Sequence, residues 1–310
     1  RVSRYTYWSV ALSRPQTSLP LTQLELDQLV ASAVALGAAD VGGPLSAQER
    51  SLIDRARQLP APSRRDIQTW RREIRAGRDP LGRRFCEIRT PVERRPLGAF
   101  YTQDPLPAPM VEWTLAQNPA RVVDAGCGSG RFAAAIARTR DAELIAVDID
   151  PVATLLTRAA LACLDATALV LLTDYTQLEL ASSPEKTAFI GNPPYVRHHD
   201  LPTALKDWAR SEAKSRGIRS SALAGLHAYF YLATAKLAQP GDVGCFVTSA
   251  EWLDIGYGSI IRGLLAGPVG GRSLQVLVPE AVAFEDAMTT AAIACFEVGA
   301  EHASMRMRSI

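Results

Sequence analysis

Residues 121–150 read RVVDAGCGSGRFAAAIARTRDAELIAVDID. Three patterns follow one another here: a short apolar run, a glycine turn that opens a helical pattern, and a second apolar run that ends in acids. Short apolar runs that alternate with a helical pattern read as a strand–helix–strand unit of a parallel sheet. The glycines of Gly126-x-Gly128-x-Gly130 permit a tight turn and let a ligand approach the backbone closely. That makes Asp124, Ala125, Gly126, Gly128 and Gly130 candidate ligand-binding residues. Taken alone, the glycine pattern also fits a dinucleotide site or a plain tight connection. The next strand ends in Val147-Asp148-Ile149-Asp150, and an acid about 20 residues after such a loop can hold both hydroxyls of a ribose. Asp148 is the candidate for that role. Its alternative is to cap the following helix, which Asp150 before Pro151 explains better.

The pattern continues outward in both directions. Downstream lie ALVLLTD, TAFIGNPPY, a long helix over about 221–238, DVGCFVTS, LQVLVP and AAIACFEV. Such alternation predicts an α/β fold, a mostly parallel sheet with helices on both faces and ligands at the carboxyl ends of its strands. Upstream, helical spacing runs over 21–37 and 46–59, the latter with Ser46 as its cap. A third helix runs from Ser63, with Asp66 three residues on, to Gly77, with Ile67, Trp70 and Ile74 on one face. Residues 79–82 (DPLG) read as a turn. The expected division is a small helical, arginine-rich N-terminal region over 1–95, a catalytic domain over 96–300 and a tail over 301–310.

With 310 residues, 47% of them hydrophobic, the chain can bury a full core. Its five cysteines (Cys86, Cys127, Cys163, Cys245 and Cys295) are far apart and include no Cys-x-x-Cys pair. This argues against a disulfide framework or a zinc site and for a reducing, cytoplasmic setting. No apolar run is long enough for a membrane span and no secretory leader is seen, so no membrane partner is expected. The chain starts at Arg1 rather than methionine, which suggests a trimmed form of something longer. The net charge is only +2, yet residues 61–96 hold eleven arginines against five acids. Arg64, Arg71, Arg72 and Arg75 are candidates for phosphate contact; a solvated helix face is the alternative.

Asn192-Pro193-Pro194-Tyr195 follows the fourth strand and is the most informative tetrapeptide in the chain. The prolines stiffen the backbone and push Asn192 toward an extended conformation. The result is a rigid rim that presents an amide oxygen, a free carbonyl and an aromatic ring. The nitrogen of a planar aromatic amine is a poor nucleophile because its lone pair is delocalised. The side-chain oxygen of Asn192 and the carbonyl of Pro193 can each accept one amine proton, which frees the lone pair, while Tyr195 stacks on the ring. Beyond the rim, Arg197, Lys206, Arg210, Lys214, Arg216 and Arg219 outnumber Asp200, Asp207 and Glu212. Arg197 is therefore a further candidate for phosphate contact. His198 and His199 are adjacent and poorly placed to share a metal, and no metal is expected.

The Gly-x-Gly-x-Gly loop, with an acid two residues before it and no third glycine at dinucleotide spacing, resembles that of class I S-adenosylmethionine-dependent methyltransferases. Asn-Pro-Pro-Tyr resembles the tetrapeptide of amino methyltransferases that act on adenine in DNA, adenine in RNA or glutamine in proteins. Residues 97–103 (LGAFYTQ) resemble the motif that precedes the glycine loop in gamma-class adenine-specific DNA methyltransferases, with Gln103 where a proline is common. The order of motifs and the TSAEWL stretch at 248–253 match that class, and the resemblance covers about 96–298. It implies a Rossmann-like class I methyltransferase sheet and S-adenosyl-L-methionine as cofactor. It also implies transfer to N6 of a flipped-out adenine in duplex DNA, in a restriction-modification or phage-defence setting.

The resemblance implies residue roles as well. Tyr101 and Thr102 contact the methionine end of the cofactor, and Asp174 accepts from its adenine amine. Ile149 and Phe230 pack near that adenine. Phe284, within 282–290, joins Tyr195 in sandwiching the target base. Each has a plainer alternative: a linker packing onto the sheet for 97–103, a turn cap for Asp174, and core packing for Phe230 and Phe284. One departure stands out, because members that act alone carry a recognition domain after the catalytic one. Recognition is therefore expected from the N-terminal region, a partner subunit or a missing C-terminal domain. Three rivals remain. The first is a release-factor glutamine methyltransferase, against which 97–103 and Phe284 argue. The second is an RNA adenine methyltransferase. The third is a non-catalytic DNA-binding subunit, against which the intact tetrapeptide and loop argue.

Overall fold

The computed structural model describes residues 20–89, 102, 106–219, 223–254, 256–277, 290–300 and 304–309. One eight-stranded sheet runs in the order β3-β2-β1-β4-β5-β7-β6-β8. Its parallel half comprises β1 (Arg121–Ala125), β2 (Glu143–Asp148), β3 (Leu169–Leu172), β4 (Thr187–Gly191) and β5 (Val243–Ser249). β7 (Ala291–Glu297) is antiparallel to both β5 and β6 (Gly271–Leu277), and β8 (Arg306–Ser309) lies parallel along β6. The chain builds outward from β1 through β2 to β3, then returns to place β4 on the other side of β1. That reversal opens a crevice between the carboxyl ends of β1 and β4, where ligands of such sheets bind.

The central strands β1, β4 and β5 are buried at every position, as suits their mostly apolar sequences. Successive side chains alternate between two cores. Val122, Leu144, Ala188 and Cys245 face Leu115 of α5 (Pro107–Ala116) and Phe132 and Ile136 of α6 (Arg131–Thr139). Val123, Ile145, Phe189 and Phe246 face the other way. There they join Ala209 of α8 (Thr203–Ser215), Tyr231 of α9 (Leu226–Leu237) and Ile261 of α10 (Ser259–Leu265). Helices thus cover both faces, as the sequence predicted.

A third core forms a shoulder on one flank. α1 (Pro20–Ala35), α2 (Ala47–Ala56), α3 (Arg64–Arg75) and α4 (Pro80–Ile88) pack with α7 (Pro151–Cys163). Leu29, Val30, Ile53, Ile74 and Leu81 meet Leu155, Leu156 and Cys163 there. Ser46 closes a full capping box with Glu49. Glu49 also takes the guanidinium of Arg158 at 2.9 Å, and both side chains are fully buried. The remaining N–H groups of Arg158 reach the carbonyls of Val41, Gly43, Pro44 and Val170, so all five of its donors are satisfied.

Three expectations need correction. Residues 79–82 are not a turn but the start of α4, with Asp79 accepting from the Gly82 amide at 2.8 Å and Pro80 in the first turn. The same Asp-Pro pair that begins a turn also begins a helix, and the apolar Leu81 buried in the shoulder selects the latter. The helix expected over 221–238 spans Leu226–Leu237 and starts after Gly225; residues 221 and 222 lie outside the described ones. Part of the expected tail pairs with β6 as β8; its four residues are all exposed, so burial left no pattern to read.

Candidate active site

The glycine loop follows β1 at the crevice. Gly126, Gly128 and Gly130 have φ of +72°, +56° and +87°, which L side chains adopt only at a cost. The amides of Gly126 and Cys127 both donate to the Val147 carbonyl at 2.9 Å, which binds the loop to β2. A side chain at Gly128 would meet nothing within 4 Å, so the loop faces open space there. Gly191 closes the opposite wall: a Cβ at that position would collide with the Ala125 carbonyl, so β1 and β4 approach closely only because of this glycine. The Phe230 ring and the Pro194 ring flank Gly126, 3.5 and 3.9 Å from the position of a Cβ there.

Two carboxylates line the base of this space. Asp124 is fully buried; one oxygen accepts from the Ala133 amide at 2.9 Å and the other has no hydrogen-bond partner. Burial pushes its carboxyl up to about 7, the Ala133 amide offsets part of this, and the charge of Asp148 adds to it. Asp148 accepts from the amides of Gly128 and Asp150, each at 2.9 Å. Burial pushes it up to about 6, with Asp150 contributing. Asp150 itself caps α7 by accepting from Val152. No ion pair to a lysine or arginine is seen for Asp124 or Asp148 among the described residues. Such a pair suits a cationic ligand, and S-adenosylmethionine carries a sulfonium and an ammonium group. The residues present therefore fit that cofactor.

The rim stands across the crevice. The side-chain amide of Asn192 donates to the Thr102 hydroxyl at 3.2 Å, while its oxygen is buried without a partner. An unpaired buried acceptor costs about 1–3 kcal/mol unless a ligand or water satisfies it. Thr102 is buried, and its carbonyl accepts from Arg131. Pro193 is buried, and Pro194 and Tyr195 are half-buried. The Tyr195 hydroxyl lies in hydrogen-bond range of the Ser249 backbone, and burial holds its pKa above the usual phenol value. Its ring is 6.1 Å from that of His227.

The remaining candidates fall in different places. Phe230 is buried and stacks on Tyr175, centroids 4.9 Å apart. Ile149 is 54% exposed beside Asp148. Asp174 accepts from both the amide and the hydroxyl of Thr176 at 2.8 Å, capping the short turn Tyr175–Gln177. Tyr101 and Phe284 lie outside the described residues, as does all of 97–103 except Thr102. Arg197 is exposed next to the rim, and Arg64 and Arg72 are exposed on α3. Arg75 donates to the Cys163 carbonyl at 2.7 Å and pairs with Asp165 at 3.2 Å, and Arg71 reaches Cys163 as well. Because α7 runs from the end of β2 back to the start of β3, this contact sits at the edge of the sheet opposite the crevice. Arg71 and Arg75 are therefore not brought together with the rim.

Sequence reading passed over Tyr175, whose hydroxyl bonds Thr234 at 2.8 Å while its ring supports Phe230. It also passed over His227, a lone histidine in the apolar LHAYFYL run. Burial pushes His227 down to about 4, and its Nδ1 is unpartnered. Among the described residues no group of three or more metal-ligating side chains occurs, and no helix is long and apolar enough to cross a membrane.

Two families match parts of the chain: one described as a methyltransferase domain over residues 122–214, the other as Eco57I restriction-modification methylase over 185–267. The Type II methyltransferase M.XamI of Xanthomonas campestris pv. amaranthicola is 45% identical over 278 residues, which are 86% of this chain and 51% of that protein. The chain thus spans about half the length of this curated relative. Among solved structures, a putative class I S-adenosylmethionine-dependent methyltransferase from Listeria monocytogenes superposes with a TM-score of 0.62 at 12% identity, covering 94% of each chain. The type IIG restriction endonuclease BpuSI superposes at 0.58 with 16% identity, over 93% of this chain and 38% of that one. The glycine loop and the asparagine rim thus stand at the switch point of a sheet that has the class I S-adenosylmethionine-dependent methyltransferase fold.

Proposed function

We propose that this chain is the catalytic part of a restriction-modification methyltransferase of the gamma class. In this reading it transfers a methyl group from S-adenosyl-L-methionine to N6 of an adenine flipped out of duplex DNA. The observation that carries the reading is the Asn192 side-chain oxygen, buried and unpartnered beside an open glycine loop. Its amide nitrogen is held by Thr102, so the oxygen is left to accept an amine proton. The 45% identity to a Type II methyltransferase supports the setting and the DNA substrate.

The cofactor, when bound, supplies an electrophilic methyl. Asp148 holds its ribose, and Asp124 supplies a negative charge beneath the loop. Asn192 and the Pro193 carbonyl each accept one proton of the adenine amine, and Tyr195 stacks on the base. These acceptors stabilise the positive charge that develops on nitrogen, so no strong base is required. His227, held neutral by burial, places no competing charge beside Tyr195. Phe284 covers the other face of the base, and Arg197 contacts a flanking phosphate. Target readout comes from the N-terminal helices, a partner subunit or a further domain.

Label transfer from methyl-tritiated S-adenosylmethionine to mixed-sequence duplex DNA, total RNA and a protein extract, followed by nucleoside analysis, tests the proposal. N6-methyladenine in the DNA is the expected product. Label confined to RNA or protein overturns the assigned substrate.

A further inference from the structure

We propose that the start of α4 is a positioning element for the cofactor, with Asp79 and Gly82 fixing the glycine loop through Ser129. The proposal rests on the reading of that loop as the S-adenosylmethionine site.

Ser129 sits between Gly128 and Gly130, both in the left-handed region. Its hydroxyl donates to one Asp79 carboxylate oxygen at 2.5 Å, a short charge-assisted bond, and the other oxygen takes the Gly82 amide at 2.8 Å. One carboxylate thus joins the first turn of α4 to the middle of the loop. Gly82 is the third member of the contact. A Cβ there would overlap both the Asp79 carboxylate and the Ser129 hydroxyl, so the bridge forms only over a glycine.

The loop is held from two other sides. The Gly128 amide donates to Asp148 at 2.9 Å, and Thr157 of α7 donates to the Gly128 carbonyl at 2.9 Å. The far end of α4 completes the pattern: Arg89, its C-terminal cap, pairs with Asp150, two residues beyond the proposed ribose carboxylate, and both side chains are largely buried. A single nine-residue helix therefore touches the loop after β1 at one end and the loop after β2 at the other. A shoulder that merely packed against α7 would not need to reach either loop.

Calorimetric titration of the full chain with S-adenosyl-L-homocysteine, alongside thermal melting, tests this. Ser129→Ala and Gly82→Ala are each expected to raise Kd about fivefold to tenfold, the cost of losing one charge-assisted bond that orders the site. Combining them is expected to add little, because both break the same bridge. Gly82→Ala also displaces the Asp79 carboxylate that caps α4, so it is expected to lower thermal stability on either view. A purely structural role predicts that loss with unchanged Kd, whereas a positioning role predicts weaker binding in both variants. Asp79→Asn, which keeps an oxygen for Ser129, should retain more affinity than Asp79→Ala. If wild-type protein binds and the Ser129→Ala and Gly82→Ala variants bind equally well, the positioning role is overturned. If the wild-type protein does not bind at all, the reading of the loop falls instead.

Discussion

The helical shoulder and the crevice treat buried polar groups in opposite ways. In the shoulder, Arg158 and Glu49 are both sealed from water, yet every guanidinium N–H finds an acceptor. In the crevice, Asp124 is fully buried and Asn192 half-buried, yet each keeps one buried oxygen with no partner. The first arrangement offsets desolvation within the fold itself. The second leaves desolvation unmet within the fold, a cost that a ligand can relieve. The buried ion pair of the shoulder is complete within the fold, whereas the crevice keeps two oxygens open.

The contrast can be broken at either pole. Asn192→Ala should have the largest effect, lowering methyl transfer at least about a thousandfold while S-adenosyl-L-homocysteine affinity stays within about twofold. Normal turnover would remove Asn192 from the chemistry. Glu49→Ala should leave Arg158 buried and unpaired and lower unfolding free energy by about 3–5 kcal/mol, read from the urea midpoint. A midpoint near the wild-type value would deny the shoulder its role.

Asp124→Asn tests whether an unmet charge is costly. Because the folded carboxyl titrates near 7 rather than near its ordinary 3.8, the ligand-free fold binds that proton more tightly than the unfolded chain does. Stability should therefore fall as pH rises from about 4 to about 7. The asparagine variant should show a slope shallower by about one proton. It should be more stable than wild type at pH 8 by about 2–4 kcal/mol, yet bind S-adenosylmethionine less tightly. Identical pH profiles would refute the unmet charge.

The smallest effect concerns phosphate contact. Arg197→Ala should reduce the salt slope of DNA binding by about one, whereas Arg75→Ala should leave it unchanged. Equal slopes for the two would show that distance from the rim does not matter.

How much of this could be read from the sequence depended on how local each signal was. The β1 loop and the Asn192 rim were legible because glycine, proline and acid spacing report backbone geometry directly. The Ser46 and Ser63 caps were legible for the same reason. Asp79 was misread because Asp-Pro opens turns and helices alike, and its partner Ser129 is 50 residues away. The direction of the α3 arginines was illegible because a charge count is blind to which end of α7 the helix meets. His227 offered only a lone histidine in the apolar LHAYFYL run, a pattern that a satisfied core histidine shares. β8 was missed because an exposed strand of alternating arginines carries no burial period.

The buried cysteines give the two poles separate clocks. Cys163 sits in the shoulder core, while Cys127 sits in the glycine loop and Cys245 and Cys295 face each other on β5 and β7. None of these four thiols is exposed, so each can be alkylated only when its surroundings open. Timed labelling resolved by peptide mass would report how often the crevice loosens without the shoulder, and whether added S-adenosyl-L-homocysteine slows Cys127 alone or all four together.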